Sequence, residues 1–147
     1  ILKLELANLK KFYIKTKSNL IFQNDLLTGG HTVAIGLEKS KELSRLQLKL
    51  ISSINKSSLI VKSTINANMP KWYNDNLQKY GFPFVGDVWI PHITIASLLN
   101  CKKDDSRITQ ILDKSSEYLS LVNSVSLWHI EGEEHEKIAD LRFGYNY

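Results

Sequence analysis

The sequence HITIASL, from His92 to Leu98, is an apolar, β-prone run, and together with the residues before it predicts a strand from Val88 to Leu98. A similar run, HTVAIGL from His31 to Leu37, lies 61 residues earlier. Each run begins with a histidine and is followed by a polar, helix-like segment. Because side chains alternate between the two faces of a strand, His92 and Thr94 are expected on one side, about 7 Å apart. The repeated unit of histidine strand and helix predicts two similar lobes that face each other across a cleft.

Length and composition place limits on the class of protein. The 147 residues fit a single domain over 1–147. The single cysteine, Cys101, excludes a disulfide within the chain and predicts a reducing, cytoplasmic location. No stretch reaches the roughly 18 apolar residues of a membrane span, so no membrane partner is expected. The chain does not begin with methionine, which suggests a domain excised from a longer protein.

Periodicity predicts most of the central elements. A helix is predicted from Glu38 to Ile54, because its apolar residues fall on one stripe. A strand is predicted from Ser57 to Ile65. Proline is tolerated at the first position of a helix, so a short helix is predicted from Pro70 to Tyr80. The first segment, Ile1 to Lys15, is compatible with a helix or a strand.

The C-terminal third predicts one more helix and a hairpin. Asp104 or Asp105 is the expected cap of the helix. Its expected buried stripe consists of Ile108, Ile111, Leu112 and Leu119. Two alternating runs, Val122 to Ile130 and Lys137 to Phe143, predict a closing hairpin. Helices outside antiparallel sheets give an α+β fold class.

The eight residues WIPHITIA, from Trp89 to Ala96, resemble the second signature of the 2H phosphoesterases. That signature is a histidine, any residue, then threonine or serine, placed on a strand and used twice. The closing hairpin also resembles the end of such domains, so the resemblance covers roughly residues 29 to 143. It implies a two-lobed fold, with antiparallel sheets lining a central cleft and helices outside, and a monomer is expected.

The resemblance implies a phosphodiesterase that needs neither metal nor cofactor. His31 and His92 would act as general base and acid, in an order that the sequence does not assign, and Thr94 would contact the phosphate. Histidine suits both roles, because it exchanges a proton near neutral pH. The implied substrates are RNA or oligonucleotides with 2′,5′ linkages, such as 2′,5′-oligoadenylate, or with 2′,3′-cyclic phosphate ends. A net charge of +4 modestly favours such a partner.

The first histidine run departs from the family pattern, since Val33 occupies the position of the second hydroxyl. Thr32 is expected on the opposite face of that strand. Three explanations are open. A bulge re-aims Thr32, backbone N–H groups of Gly29 and Gly30 hold the phosphate instead, or this half has lost part of its function.

Five further residues are expected to bind substrate. Aromatic side chains near the second motif are candidates, because nucleobases stack on such rings. The expected contacts are Gly30, Val33, Phe84, Trp89 and Tyr145. The main alternative is a catalytically silent RNA- or nucleotide-binding domain of the same fold, which the valine in the first motif favours. A scaffold domain with two coincidental histidines is a third interpretation.

Overall fold

The computed structural model describes residues 6–25, 29–56, 65, 67–102, 105–114, 117–131 and 134–144. Their elements are β1 (Phe12–Asp25), β2 (Gly30–Leu37), α1 (Lys41–Lys56), α2 (Lys71–Tyr80), β3 (His92–Leu98), α3 (Ser106–Leu112), β4 (Leu119–Val122), β5 (Ser124–Glu131) and β6 (Glu134–Arg142). The predicted start of the second histidine strand at Val88 is wrong, because Gly86–Val88 form a 3₁₀ turn and the strand begins at His92. Antiparallel sheets and separate helices confirm the predicted α+β class. The predicted strand at 57–65 and the predicted substrate contact Tyr145 lie outside the described residues, except for position 65.

Two sheets are formed. The larger one has the strand order β3-β2-β1-β4, and β2 pairs antiparallel with both β1 and β3. The smaller one is the antiparallel pair β5-β6, which confirms the predicted hairpin. The first segment, which the sequence left open between helix and strand, enters β1 at Phe12.

Helix α1 begins three residues later than predicted. The backbone N–H of Glu38 donates to the carbonyl of Lys15 at 2.8 Å, and that of Ser40 donates to the carbonyl of Glu38. These bonds hold 38–40 outside the helix, which then begins at Lys41. The predicted apolar stripe is present, since Leu46 is buried in the core.

Helix α2 begins at Lys71, one residue later than predicted, because Pro70 is its N-cap and not its first residue. Pro70 precedes it with extended backbone angles, and Gly81 follows it in the left-handed region, with φ of 72°. The N–H of Gly81 donates to the carbonyl of Leu77 at 2.8 Å. This is the glycine termination that commonly ends helices.

Helix α3 is shorter than its predicted stripe. Asp105 is its N-cap, because its side chain accepts from the backbone N–H of Arg107. The helix ends at Leu112, with Ile108 buried. The stripe predicted that Leu119 belongs to this helix, but Leu119 is the first residue of β4.

The chain divides into two compact units. The first comprises Ile1–Tyr13, Lys41–Trp89 and Leu121–Tyr147, and the second comprises Ile14–Ser40 and Ile90–Ser120. The core of the first consists of Leu6, Leu46, Leu141 and Phe143. Both histidine strands belong to the second unit and are neighbours in one sheet, whereas the sequence analysis expected one in each of two lobes. Among the described helices, none is long and apolar enough to cross a membrane.

Candidate functional site

The register of β2 and β3 separates the two histidines. His92 lies opposite Gly36, and His31 lies opposite Leu98. His31 and Gly36 are five positions apart on β2, so their side-chain directions point to opposite faces of the sheet. His92 shares the face of Gly36, because paired residues project to the same side. The two histidines are therefore on opposite faces, about 17 Å apart along the strand direction.

A β-bulge lies between the pair His31–Leu98 and the pair Gly36–His92, but the two histidines remain on opposite faces. The register passes from Val33–Ala96 to Ala34–Thr94, so Ile95 is an extra residue on β3. The alternation along β2 decides the faces, and β2 has no extra residue there. The prediction that the two imidazoles meet at one phosphorus atom is therefore not met in this structure.

His92 is exposed at the start of β3. Its Nδ1 lies 2.7 Å from the carbonyl oxygen of Ile90. Because a carbonyl only accepts, Nδ1 carries the proton and donates, and the lone pair of the neutral ring is on Nε2. The ring also contacts the ring of Phe22, with centroids 4.8 Å apart. Nε2 has no hydrogen-bond partner among the residues that the structure describes.

Thr94 shares the exposed face with His92. It pairs with Ala34, two positions from Gly36, so the alternation of β2 places it on the same side. The side chain is exposed, and its hydroxyl has no partner within the described ranges. The structure therefore brings together two of the three predicted catalytic residues, with the expected spacing.

A hydrogen-bonded cluster continues the same face. The hydroxyl of Thr32 donates to Oδ2 of Asp25 at 2.7 Å and lies 3.2 Å from the hydroxyl of Ser97. Since Thr32 gives its only proton to the carboxylate, Ser97 must donate to Thr32. Sequence reasoning missed Asp25 and Ser97. The sequence signal for this cluster was Thr32, because the alternation of side chains along β2 places it on the face opposite His31.

His31 has the surroundings of a structural residue. Only 7% of its surface is exposed. Its Nδ1 accepts a hydrogen bond from the backbone N–H of Asn24 at 3.2 Å. Asn24 has a φ of 49° and lies at the irregularity in the register of β1 between Phe22 and Asp25. The histidine thus contacts the end of β1 through this hydrogen bond.

Two of the predicted substrate contacts are packed against neighbouring strands. Val33 is completely buried opposite Ala96, so it does not face a ligand. Gly30 is a packing residue, because a Cβ at this position would lie 2.5 Å from the carbonyl oxygen of Leu98. The N–H of Gly29 donates to the carbonyl of Asp25, so that amide is already used inside the turn.

These placements bear on two of the three explanations for Val33. Thr32 continues the regular alternation of β2 and pairs with Phe22 and Ser97, so no bulge re-aims it toward His31. The amide of Gly29 is occupied, which argues against the glycine pair as a phosphate cradle.

The predicted aromatic contacts lie in the first compact unit, whereas His92 lies in the second. Phe84 is 40% exposed, and its ring centroid is 6.2 Å from that of Trp72. Trp89 is half-buried, and its N–H donates to the carbonyl of Gly86 at 3.2 Å.

An ionic cluster at the start of α3 is internally satisfied. The guanidinium of Arg107 donates from Nε and Nη2 to the two oxygens of Asp105, at 2.8 and 2.7 Å. These bonds hold the pKa of the Asp105 carboxyl well below its usual range. Burial raises the pKa of the neighbouring Cys101 thiol. The cluster is a helix cap with an ion pair, not an open site.

Comparisons with protein-family models, curated proteins and solved structures found no significant match to this chain. The resemblance to 2H phosphoesterases therefore depends on the motif residues of the sequence. The functional conclusion below depends on the geometry of β3.

Proposed function

We propose that this chain binds the phosphate of an RNA or nucleotide at the exposed face of β3, without cleaving it. The observation that carries the proposal is a pair of groups on that face, Nε2 of His92 and the hydroxyl of Thr94, which have no hydrogen-bond partner among the described residues. This proposal corresponds to the silent-domain alternative of the sequence analysis.

The chemistry of these two groups suits a phosphate. The imidazole donates to a phosphate oxygen once Nε2 is protonated, and the threonine hydroxyl donates to a second oxygen. The carbonyl of Ile90 fixes the ring orientation through Nδ1, so little ring freedom is lost on binding. A net charge of +4 attracts a polyanion from a distance.

The placement of His31 argues against turnover. Cleavage by internal attack needs one group that removes a proton from a ribose hydroxyl and another that protonates the leaving oxygen. The face of His92 carries one imidazole, and His31 is buried on the other face. One histidine of this kind binds a phosphate, but it lacks the partner that the resemblance implies.

The second candidate is an RNA phosphodiesterase with a two-lobed 2H fold, acting on 2′,5′ linkages or 2′,3′-cyclic ends. The contact of His92 with the Ile90 carbonyl favours it, since catalytic bases are commonly oriented by a third group. The phosphodiesterase requires the register between β2 and β3 to shift by one residue. Such a shift moves every side chain of β2 to the other face and would bring His31 to the face of His92. The shift would also take Val33 out of the interior, where it is fully buried.

Oligoadenylate assays separate the two candidates. The intact chain and the variants H92A, H31N and H135A are tested with 2′,5′- and 3′,5′-linked oligoadenylates for both binding and cleavage. The proposal expects saturable binding that H92A weakens at least tenfold, and no cleavage by any variant. His135 is an exposed histidine on the hairpin and is the matched control. Cleavage that is lost in both H92A and H31N, but not in H135A, would establish the phosphodiesterase instead.

A further inference from the structure

Four aromatic side chains form an exposed cluster on the first compact unit, and we name it the aromatic cluster. Its members are Trp72 and Tyr73 at the start of α2, and Phe82 and Phe84 in the turn that follows it. Neighbouring ring centroids are 5.7 to 6.2 Å apart. Trp72, Phe82 and Phe84 are each 40% exposed. An exposed group of large apolar side chains commonly marks an interaction surface.

Side-chain amides hold the turn that carries the two phenylalanines. The amide of Asn76 donates to the carbonyls of Pro83, at 2.7 Å, and Val85, at 3.2 Å. The amide of Gln47 donates to the carbonyl of Phe84 at 3.1 Å, and its oxygen accepts from the N–H of Gly86. The rings are therefore presented on an ordered backbone, which lowers the entropy that a partner must overcome on binding.

The cluster offers hydrogen-bond donors, and the lysines of the same helix have contacts of their own. Neither the indole N–H of Trp72 nor the hydroxyl of Tyr73 has a partner in the described part of the chain. The two lysines of α2 are already engaged. Lys71 is paired with Asp75 at 2.6 Å, and the ammonium of Lys79 lies over the Tyr80 ring at 4.9 Å.

We propose that the aromatic cluster docks a proline-rich segment of another protein in the polyproline II conformation. Such segments bind surfaces lined by aromatic rings, and their backbone carbonyls, which are not used internally, accept from tryptophan and tyrosine donors. They carry no charge that a lysine must neutralise, which agrees with the ion pair between Lys71 and Asp75. Neighbouring rings are tilted against each other by 55° to 86°, so the aromatic cluster is an uneven surface and not a flat one.

Single-stranded RNA fits these observations less well. Proteins that bind it combine stacking rings with cations that follow the phosphates. Of the two lysines of α2, Lys71 is in an ion pair with Asp75 and Lys79 lies over the ring of Tyr80. This inference is independent of the function proposed for His92, since it depends on a different unit of the chain.

The experiment is a titration of the full chain, followed by amide and indole NMR signals. The probes are a decaproline peptide, a glycine–serine peptide of equal length and a ten-nucleotide oligouridine. Decaproline is expected to shift the indole signal of Trp72 and the amide of Gly81 saturably. F84A is expected to weaken binding at least tenfold, and W72F several-fold, because it keeps an aromatic ring but removes the N–H donor.

Matched controls make the result decisive. W128F changes an exposed tryptophan on the hairpin and is expected to leave decaproline binding unchanged. W72F retains a ring of similar character, so it provides a test even if F84A does not fold. The inference is overturned if decaproline gives no saturable shift, or if W72F and F84A bind it like the intact chain. Shifts at the aromatic cluster that only oligouridine produces would overturn it in favour of RNA.

Discussion

His31 and His92 lie on opposite faces of one sheet, with His31 opposite Leu98 and His92 opposite Gly36 in the same ladder. The sequence repeat that suggested a catalytic pair therefore produces two adjacent antiparallel strands. One histidine faces outward beside a free threonine hydroxyl, and the other is buried and accepts a backbone N–H. The two residues are expected to respond differently to every perturbation, and the predictions below use that difference.

The first prediction compares the stability of two histidine variants. H31A removes the acceptor of the Asn24 N–H and leaves a gap, so we expect a loss of about 1–3 kcal/mol in the free energy of unfolding. H92A changes an exposed side chain, and we expect a loss below about 1 kcal/mol. Urea unfolding followed by circular dichroism measures both. Equal losses would contradict the structural role of His31.

The second prediction concerns the missing hydroxyl of the first motif. V33T places a hydroxyl at a fully buried position, so we expect it to cost about 1–3 kcal/mol of stability. We expect no gain of oligoadenylate cleavage, because the new hydroxyl faces away from His92. The control is I130T, which makes a similar change at an exposed site on the hairpin. A V33T variant that is stable and cleaves oligoadenylate would contradict this account.

The third prediction tests the packing role of Gly30. A methyl group there would meet the Leu98 carbonyl at 2.5 Å, and the contact is backbone, which yields little. We expect G30A to cost about 1–3 kcal/mol through overpacking and to leave the oligoadenylate affinity per folded molecule unchanged. Thermal unfolding and a binding titration check the two parts. A stable G30A variant with weakened binding would instead show a direct contact with the ligand.

The fourth prediction concerns pH. The hydroxyl of Ser126 and the ammonium of Lys137 donate to Asp140 and lower the pKa of its carboxyl below the usual 3.8. A lowered pKa in the folded state stabilises the hairpin above pH 3.8, and this contribution is lost as the pH falls through the lowered value. NMR titration of Asp140 is expected to show a higher pKa in S126A than in the intact chain. The exposed-site control, S52A, is expected to leave that pKa unchanged.

Local patterns predicted the elements that depend on neighbouring residues. Pro70 and Gly81 mark the ends of α2, and the alternating runs before and after the acidic tip form the hairpin β5-β6. These features follow from backbone angles and from side-chain periodicity over a few residues. Helix α3 shows where such local patterns fail, because Leu119 continues the apolar spacing of the helix but belongs to β4.

The candidate site could be predicted only in part. Alternation along β3 placed His92 and Thr94 on one face, and alternation along β2 placed Thr32 opposite His31. The side-chain periodicity of a strand does not determine which strand pairs with it. The sequence therefore did not show that the two histidine strands pair with each other. The contribution of Asp25 likewise arises from a contact between strands, through the Thr32 hydroxyl.

The most direct test of the central claim observes both imidazoles during one titration. Long-range proton–nitrogen NMR spectra of the histidine side chains are recorded as a 2′,5′-linked oligoadenylate trimer is added to the intact chain. We predict that the Nε2 signal of His92 shifts saturably, that the signals of His31 stay unchanged, and that the trimer remains intact. Joint shifts of His31 and His92 with cleavage of the trimer, or an unchanged His92 signal, would contradict the account.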